Sequence, residues 1–213
     1  MSQSLTESLP LPQRLAFAYA PAPAKSAVLA LFAFDARLAQ AIRQASEPIM
    51  AQMRLAWWRD QFRLEPARRE RSDELVRALD NFAGEEAALT ELVDGWESLL
   101  ADQLDARTFA RGRAAGFGAL AAVLGTSSEL AVGAGRRFAL VDLAANLENV
   151  DEKQAVLAIA RDEGLARVSL PRPLRSLALL DGLARRSLAR GGKPLLDGPG
   201  AMLAAIRMGL TGR

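Results

Sequence analysis

Residues 31–62 read LFAFDARLAQAIRQASEPIMAQMRLAWWRDQF, and their apolar periodicity decides the fold class. Leu31, Phe32, Leu38 and Ile42, with Leu29 just upstream, recur at helical spacing, which predicts a long helix over 24–46. Glu47-Pro48 interrupts it, because Pro disfavours helix in the residue before it yet is tolerated in a first turn. A second helix is therefore expected over 48–64, with Ile49, Met53, Ala56, Trp57 and Phe62 on its apolar face. Two adjacent Trp residues cannot share one narrow stripe. One of Trp57 and Trp58 belongs in the core and the other on a cavity or interface wall, packing outweighing ligand contact. Asp60 reads equally well as a site residue or as the ion-pair partner of Arg63.

Working outward, Pro10, Pro12, Pro21 and Pro23 leave room for only two helical turns over 13–20, so residues 1–23 are expected to be partly irregular. Residues 65–71, with Arg68, Arg69 and Arg71, read as a solvated connector, and phosphate or anionic-lipid binding there is the minor reading. Ser72-Asp73-Glu74 opens a helix with acidic groups where the dipole favours them. Further helices are expected over 85–103, 106–124, 128–149, 151–161, 173–190 and 199–210. Gly125 to Ser128 forms a joint, Gly suiting a helix C-terminus and Ser an N-cap. No run of strand length alternates apolar and polar residues. The expectation is an all-α protein, one helical domain over 1–213.

The composition excludes whole classes of chemistry. The 213 residues include no His and no Cys, and the one Tyr is Tyr19. Triads that use His or Cys are impossible, and so are the nitrogen and thiolate ligands of zinc, haem and iron–sulfur sites. A metal here would be a hard ion on carboxylates. Arg supplies 24 of the 27 cations, yet the net charge is only +2, which disfavours a nucleic-acid partner. The longest apolar stretches, 27–34 and 114–124, are too short to span a membrane, and residues 1–4 show no targeting pattern. The expectation is a cytoplasmic protein, with peripheral membrane contact compatible.

The segment over 31–62, with Arg54-Leu55-Ala56-Trp57-Trp58-Arg59-Asp60 in it, resembles the squalene/phytoene synthase family, the head-to-head branch of the isoprenoid synthases. Leu92-Val93-Asp94-Gly95-Trp96-Glu97 is similar to the family's "LIDG-x-E" helix, and Arg113-Ala114-Ala115-Gly116 through Leu124-Gly125 to its "RAG…LLG" helix. The resemblance extends from about Gln13 to the end. It implies the helical isoprenoid synthase fold around a central cavity, with Phe34, Asp35, Trp57, Phe117 and Asp142 as candidate lining residues. Active relatives condense two allylic prenyl diphosphates. Magnesium, held by carboxylates on facing helices, neutralises the diphosphate leaving group there.

The chain departs from the family at those carboxylates. The first aspartate-rich motif falls on Ala39, Gln40 and Arg43. The second falls on residues 142–150, where Asn146, Asn149 and Val150 replace acids and Ala145 replaces the motif's Arg. Its terminal Asn and Asp stand exchanged as Asp142 and Asn146, the weak catalytic candidates, and the family's "YLP" segment is not recognisable. Glu148, Asp151 and Glu152 lie close in sequence but read foremost as a solvated acidic helix end. The primary expectation is a non-catalytic binding or assembly-type protein without a cofactor, taking an isoprenoid, a prenyl diphosphate or a protein partner. The family has such a branch, including an assembly factor for a respiratory complex. The alternatives are a magnesium-dependent prenyltransferase with unusual ligands and a helical domain whose likeness is coincidental.

Overall fold

Prolines and capping side chains cut the Ala- and Leu-rich chain into helices. The computed structural model describes residues 5–164 and 168–211. Within them run α1 (Leu11–Ala18), α2 (Lys25–Arg43), α3 (Pro48–Arg63), α4 (Glu74–Ala78) and α5 (Glu86–Glu97). There follow α6 (Ala106–Val123), α7 (Ser128–Asn146), α8 (Val150–Asp162), α9 (Arg175–Leu188) and α10 (Gly198–Thr211). Short 3-10 turns link several of them, and no strand occurs among the described residues. Residues 1–4, expected to carry no targeting signal, lie outside the described part.

The joints follow local chemistry. Glu47 is extended (φ −137°, ψ 144°) so that Pro48 can open α3, and α2 accordingly stops three residues before the expected Ser46. Asp73 caps α4 by accepting from the Leu75 and Val76 N–H groups, and Asp105 caps α6 through Thr108 N–H. Gly125 takes φ +66° after α6, the left-handed turn that ends many helices, while Ser127 makes no side-chain cap bond at the start of α7. The expected helix over 128–149 ends instead at Asn146. Asn149 leaves it to cap α8, its Oδ1 accepting from Asp151 N–H at 2.9 Å and Glu152 N–H at 3.2 Å.

Helix α6 is the centre of the molecule and packs most extensively on α5 and α7. The α5–α6 crossing is nearly backbone to backbone: a Cβ on Gly112 would lie 2.7 Å from Gly95 Cα, and one on Gly95 would lie 3.0 Å from Gly112 Cα. One contiguous apolar core runs from Leu9 to Ala205, with Phe32, Phe34, Phe82, Phe109 and Phe138 fully buried in it. Two buried arginines on α6 and α7 tie elements together across this core. Arg137 on α7 donates from Nε to Asp181 Oδ1 of α9 at 2.7 Å and from Nη1 to the Gly164 carbonyl at 2.9 Å. The other is Arg113. No helix among the described residues is long and apolar enough to cross a membrane.

One connector is not solvated as expected. Within residues 65–71, Arg68 and Arg71 are exposed, but Arg69 is buried. It donates to the Leu64 carbonyl at 3.2 Å and to Glu86 Oε1 at 2.8 Å, latching the connector to the first turn of α5. The Leu64 carbonyl and the Glu86 carboxylate offset the loss of water at Nε and Nη2, while Nη1 makes no hydrogen bond to a described residue and lies 3.8 Å from Asp80 Oδ1.

Candidate ligand cavity

Helices α2, α5, α6 and α7, with the chain before α1, enclose a cavity of about 740 Å³. That lies within the size range of small-molecule sites, about 300–1,000 Å³. Its walls join apolar side chains, Leu9, Ala39, Ile42, Phe109 and Leu143 among them, to a nearly equal share of polar and charged groups.

A charged cluster forms its floor. Asp35 sits on the inner face of α2 amid Leu31, Phe34 and Leu38, a position that forces its carboxylate to find partners. Arg113 of α6 grips it with both ends of the guanidinium, Nε to Oδ1 at 3.0 Å and Nη2 to Oδ2 at 2.6 Å. Trp96 Nε1 donates to Oδ1 and Gln13 Nε2 to Oδ2, each at 2.8 Å. The remaining arm of Arg113, Nη1, reaches Asp142 Oδ2 on α7 at 2.8 Å. The guanidinium carbon also lies 4.9 Å from the centre of the Phe138 ring and 5.3 Å from that of Trp96. Burial by itself would lower the pKa of Arg113; the charges of Asp35 and Asp142 outweigh it and hold the pKa above the ordinary arginine value. A single fixed cation therefore spans carboxylates from two facing helices.

The five positions expected to be empty of metal ligands sort by environment. Ala39 is buried in the cavity wall, and Arg43 stands exposed at its mouth. Gln40 points outward to a surface groove. Asn146 lines the rim and donates its Nδ2 to the Asp142 carbonyl at 2.7 Å. Asn149 is spent on capping α8. Glu148, Asp151 and Glu152 are exposed, and no cluster of three or more Asp or Glu able to hold a metal ion occurs among the described residues. The residues present do not fit the magnesium clamp that the resemblance implies: the two inward carboxylates already share Arg113.

Of the expected lining residues, Asp35 and Asp142 line the cavity. Phe34 and Phe117 do not. Phe34 is fully buried against Trp58 (centroids 4.8 Å apart) and Phe62 (5.5 Å), while Phe117 packs edge-on to Phe32 and Phe138. Their aromatic size suits the core between helices better than a hollow. The Trp pair divides as expected, Trp58 being 3% and Trp57 37% exposed. Trp57, however, borders a separate surface groove of about 680 Å³ between α2 and α3, with Met50, Met53 and Arg54, and not the central cavity. Asp60 makes the expected pair with Arg63, at 3.1 Å.

The sequence motifs include Arg113 and Trp96, and the resemblance begins near Gln13, yet none of the three is expected as a site residue. A signal existed for Arg113: with Phe109 and Phe117 four residues to either side, it occupies a core position of an apolar stripe and demanded a buried partner.

The family model for squalene/phytoene synthase matches residues 14–130, more than half of the chain. The chain belongs to the squalene/phytoene synthase family. No curated protein and no solved structure gives a significant match. The ten helices and the absence of strands among the described residues agree with the all-α isoprenoid synthase fold of this squalene/phytoene synthase family, whose members take prenyl diphosphates as substrates. The match takes in α2, α3, α5 and α6, hence Asp35, Trp96 and Arg113, and stops before Asp142.

Proposed function

We propose that this squalene/phytoene synthase family member is non-catalytic, a binding or assembly-type protein that keeps the helical cavity without the metal clamp. The observation that carries this reading is the Arg113 guanidinium lodged between Asp35 and Asp142. Ionising an allylic diphosphate requires mobile divalent cations that bridge protein carboxylates and phosphate oxygens. A side-chain cation held on three sides by the protein, 2% exposed, neutralises the carboxylates but has no means of following a departing diphosphate. For the assembly form of the reading, Ile49, Met50, Met53 and Trp57 of α3 are exposed apolar side chains that a protein partner would cover.

The test is diphosphate release from farnesyl or geranylgeranyl diphosphate by the purified protein, with and without magnesium. No release above background is expected in either condition. Magnesium-dependent release, abolished by substitution of Asp142 or Asn146, would overturn the reading in favour of a prenyltransferase.

A further inference from the structure

The charge balance of the central cavity assigns it a ligand of particular chemistry, an inference that rests on the non-catalytic reading above. We propose that the cavity takes a chain-like apolar molecule whose polar end donates hydrogen bonds and carries no negative charge: a prenyl alcohol or prenyl amine, and not a prenyl diphosphate.

Four carboxylates line the cavity, Asp35, Asp102, Asp142 and Glu152, against two cations, Arg43 and Arg113, a net of −2. One of those cations is already committed. Each nitrogen of the Arg113 guanidinium donates to a carboxylate oxygen, and the group is shut beneath Trp96, Phe109 and Phe138. What remains open to an incoming head group is chiefly acceptor. Asp142 keeps 26% of its side chain accessible, and its Oδ1 accepts no hydrogen bond from a described residue. Asn146 commits one N–H of its Nδ2 to a backbone carbonyl, and its amide oxygen accepts no hydrogen bond from a described residue. Asp102 and Glu152 stand exposed on the rim without an ion-pair partner among the described residues.

A multiply charged diphosphate entering this space would face like charges with only Arg43 to answer it, and it would lose its hydration as well. A hydroxyl or ammonium group meets unpaired acceptors at the Asp142 and Asn146 end, while its hydrocarbon chain lies along Ala39, Ile42, Leu143 and Leu147. Ala39 matters twice here: the small apolar side chain leaves the hollow open and removes a charge at the point where the chain must pass.

The experiment measures equilibrium binding of farnesol, farnesylamine and farnesyl diphosphate to the purified full chain, below their aggregation limits, with magnesium absent and then present. Farnesol and farnesylamine are expected to bind, each roughly tenfold or more tighter than farnesyl diphosphate without magnesium. Salt should weaken the amine more than the alcohol. Ala39→Phe, which fills the hollow from α2, should remove binding of both while the far-ultraviolet helical signal is kept and unfolding stays cooperative, Tm falling only as an overpacked position requires. Tighter or equal binding of farnesyl diphosphate, no binding of alcohol and amine, or unchanged binding by Ala39→Phe would each overturn the proposal. Binding of farnesyl diphosphate without turnover defeats the ligand assignment alone. Magnesium-dependent turnover defeats the non-catalytic reading with it.

Discussion

Arg113 and Asp35 lie 78 residues apart in the chain and meet as a two-point ion pair, Nε to Oδ1 at 3.0 Å and Nη2 to Oδ2 at 2.6 Å. The pair closes α6 onto α2 beneath the cavity floor and is sealed by Trp96 and Gln13. Breaking such a pair from one side leaves a buried charge with no partner, a loss of about 3–5 kcal/mol. Arg113→Ala is expected to lower unfolding stability by that amount in urea titrations. The double variant Asp35→Leu with Arg113→Met should be less unstable than Arg113→Ala, since the deeply buried charges both go and the Asp142 carboxylate left behind is 26% exposed to water. A double variant as unstable as the sum of both single changes would show that the pair is not coupled.

The α5–α6 crossing should be intolerant of a single methyl group. A Cβ on Gly112 would press on Gly95 Cα at 2.7 Å and on Gly95 N at 2.9 Å, both of them backbone that cannot swing aside. Gly112→Ala is therefore expected to cost about 1–3 kcal/mol despite the gain in helix propensity. Because Gly112 adjoins Arg113 and Gly95 adjoins Trp96, the same change should weaken the occupancy of the cavity floor. The checks are the urea midpoint and the near-ultraviolet signal of Trp96.

The two adjacent tryptophans should respond very differently to truncation. Trp58→Ala removes a buried ring that contacts Phe34 and Phe62, an expected loss of about 3–5 kcal/mol. Trp57→Ala removes a ring that is already 37% exposed and only flanks Trp58, and should cost clearly less than Trp58→Ala. Equal losses in thermal or urea unfolding would contradict the division of the pair between core and groove.

Glu86 gives the fold a pH dependence of known sign. Partial burial would raise its pKa, but the Arg69 hydrogen bond and the N–H groups of Gly84 and Glu86 outweigh it and hold the pKa below the ordinary glutamate value. A carboxyl with a folded-state pKa below its unfolded value stabilises the protein above the unfolded pKa. The contribution disappears as pH falls through the folded one. The stability gap between the parent and Glu86→Gln should therefore be full at neutral pH and shrink as the solution is acidified below the usual glutamate range. A gap that is constant or grows on acidification would refute the Arg69–Glu86 latch.

Local chemistry was legible to within a few residues. Pro48, Asp73, Gly125 and the apolar stripes of α2 and α3 marked elements and joints, because caps, turns and helical periodicity involve neighbours within one or two turns. The error at the end of α7 has the same origin. The motif position of Asn149 places it within α7, whereas its side chain caps the next helix. The resemblance implies Phe34 and Phe117 on a cavity wall, and helix packing puts them in the core.

The sequence by itself determined that this protein is all-helical and that it can use neither His nor Cys. Those conclusions rest on residue identity and short-range spacing. Only the tertiary structure decided that Arg113 lies between Asp35 and Asp142, that Arg69 leaves the solvent for Glu86, and that Trp57 faces a surface groove. Each of these depends on how helices cross one another. A charge becomes buried, and needs its partner, only when elements 17 to 78 residues apart in the chain close over it.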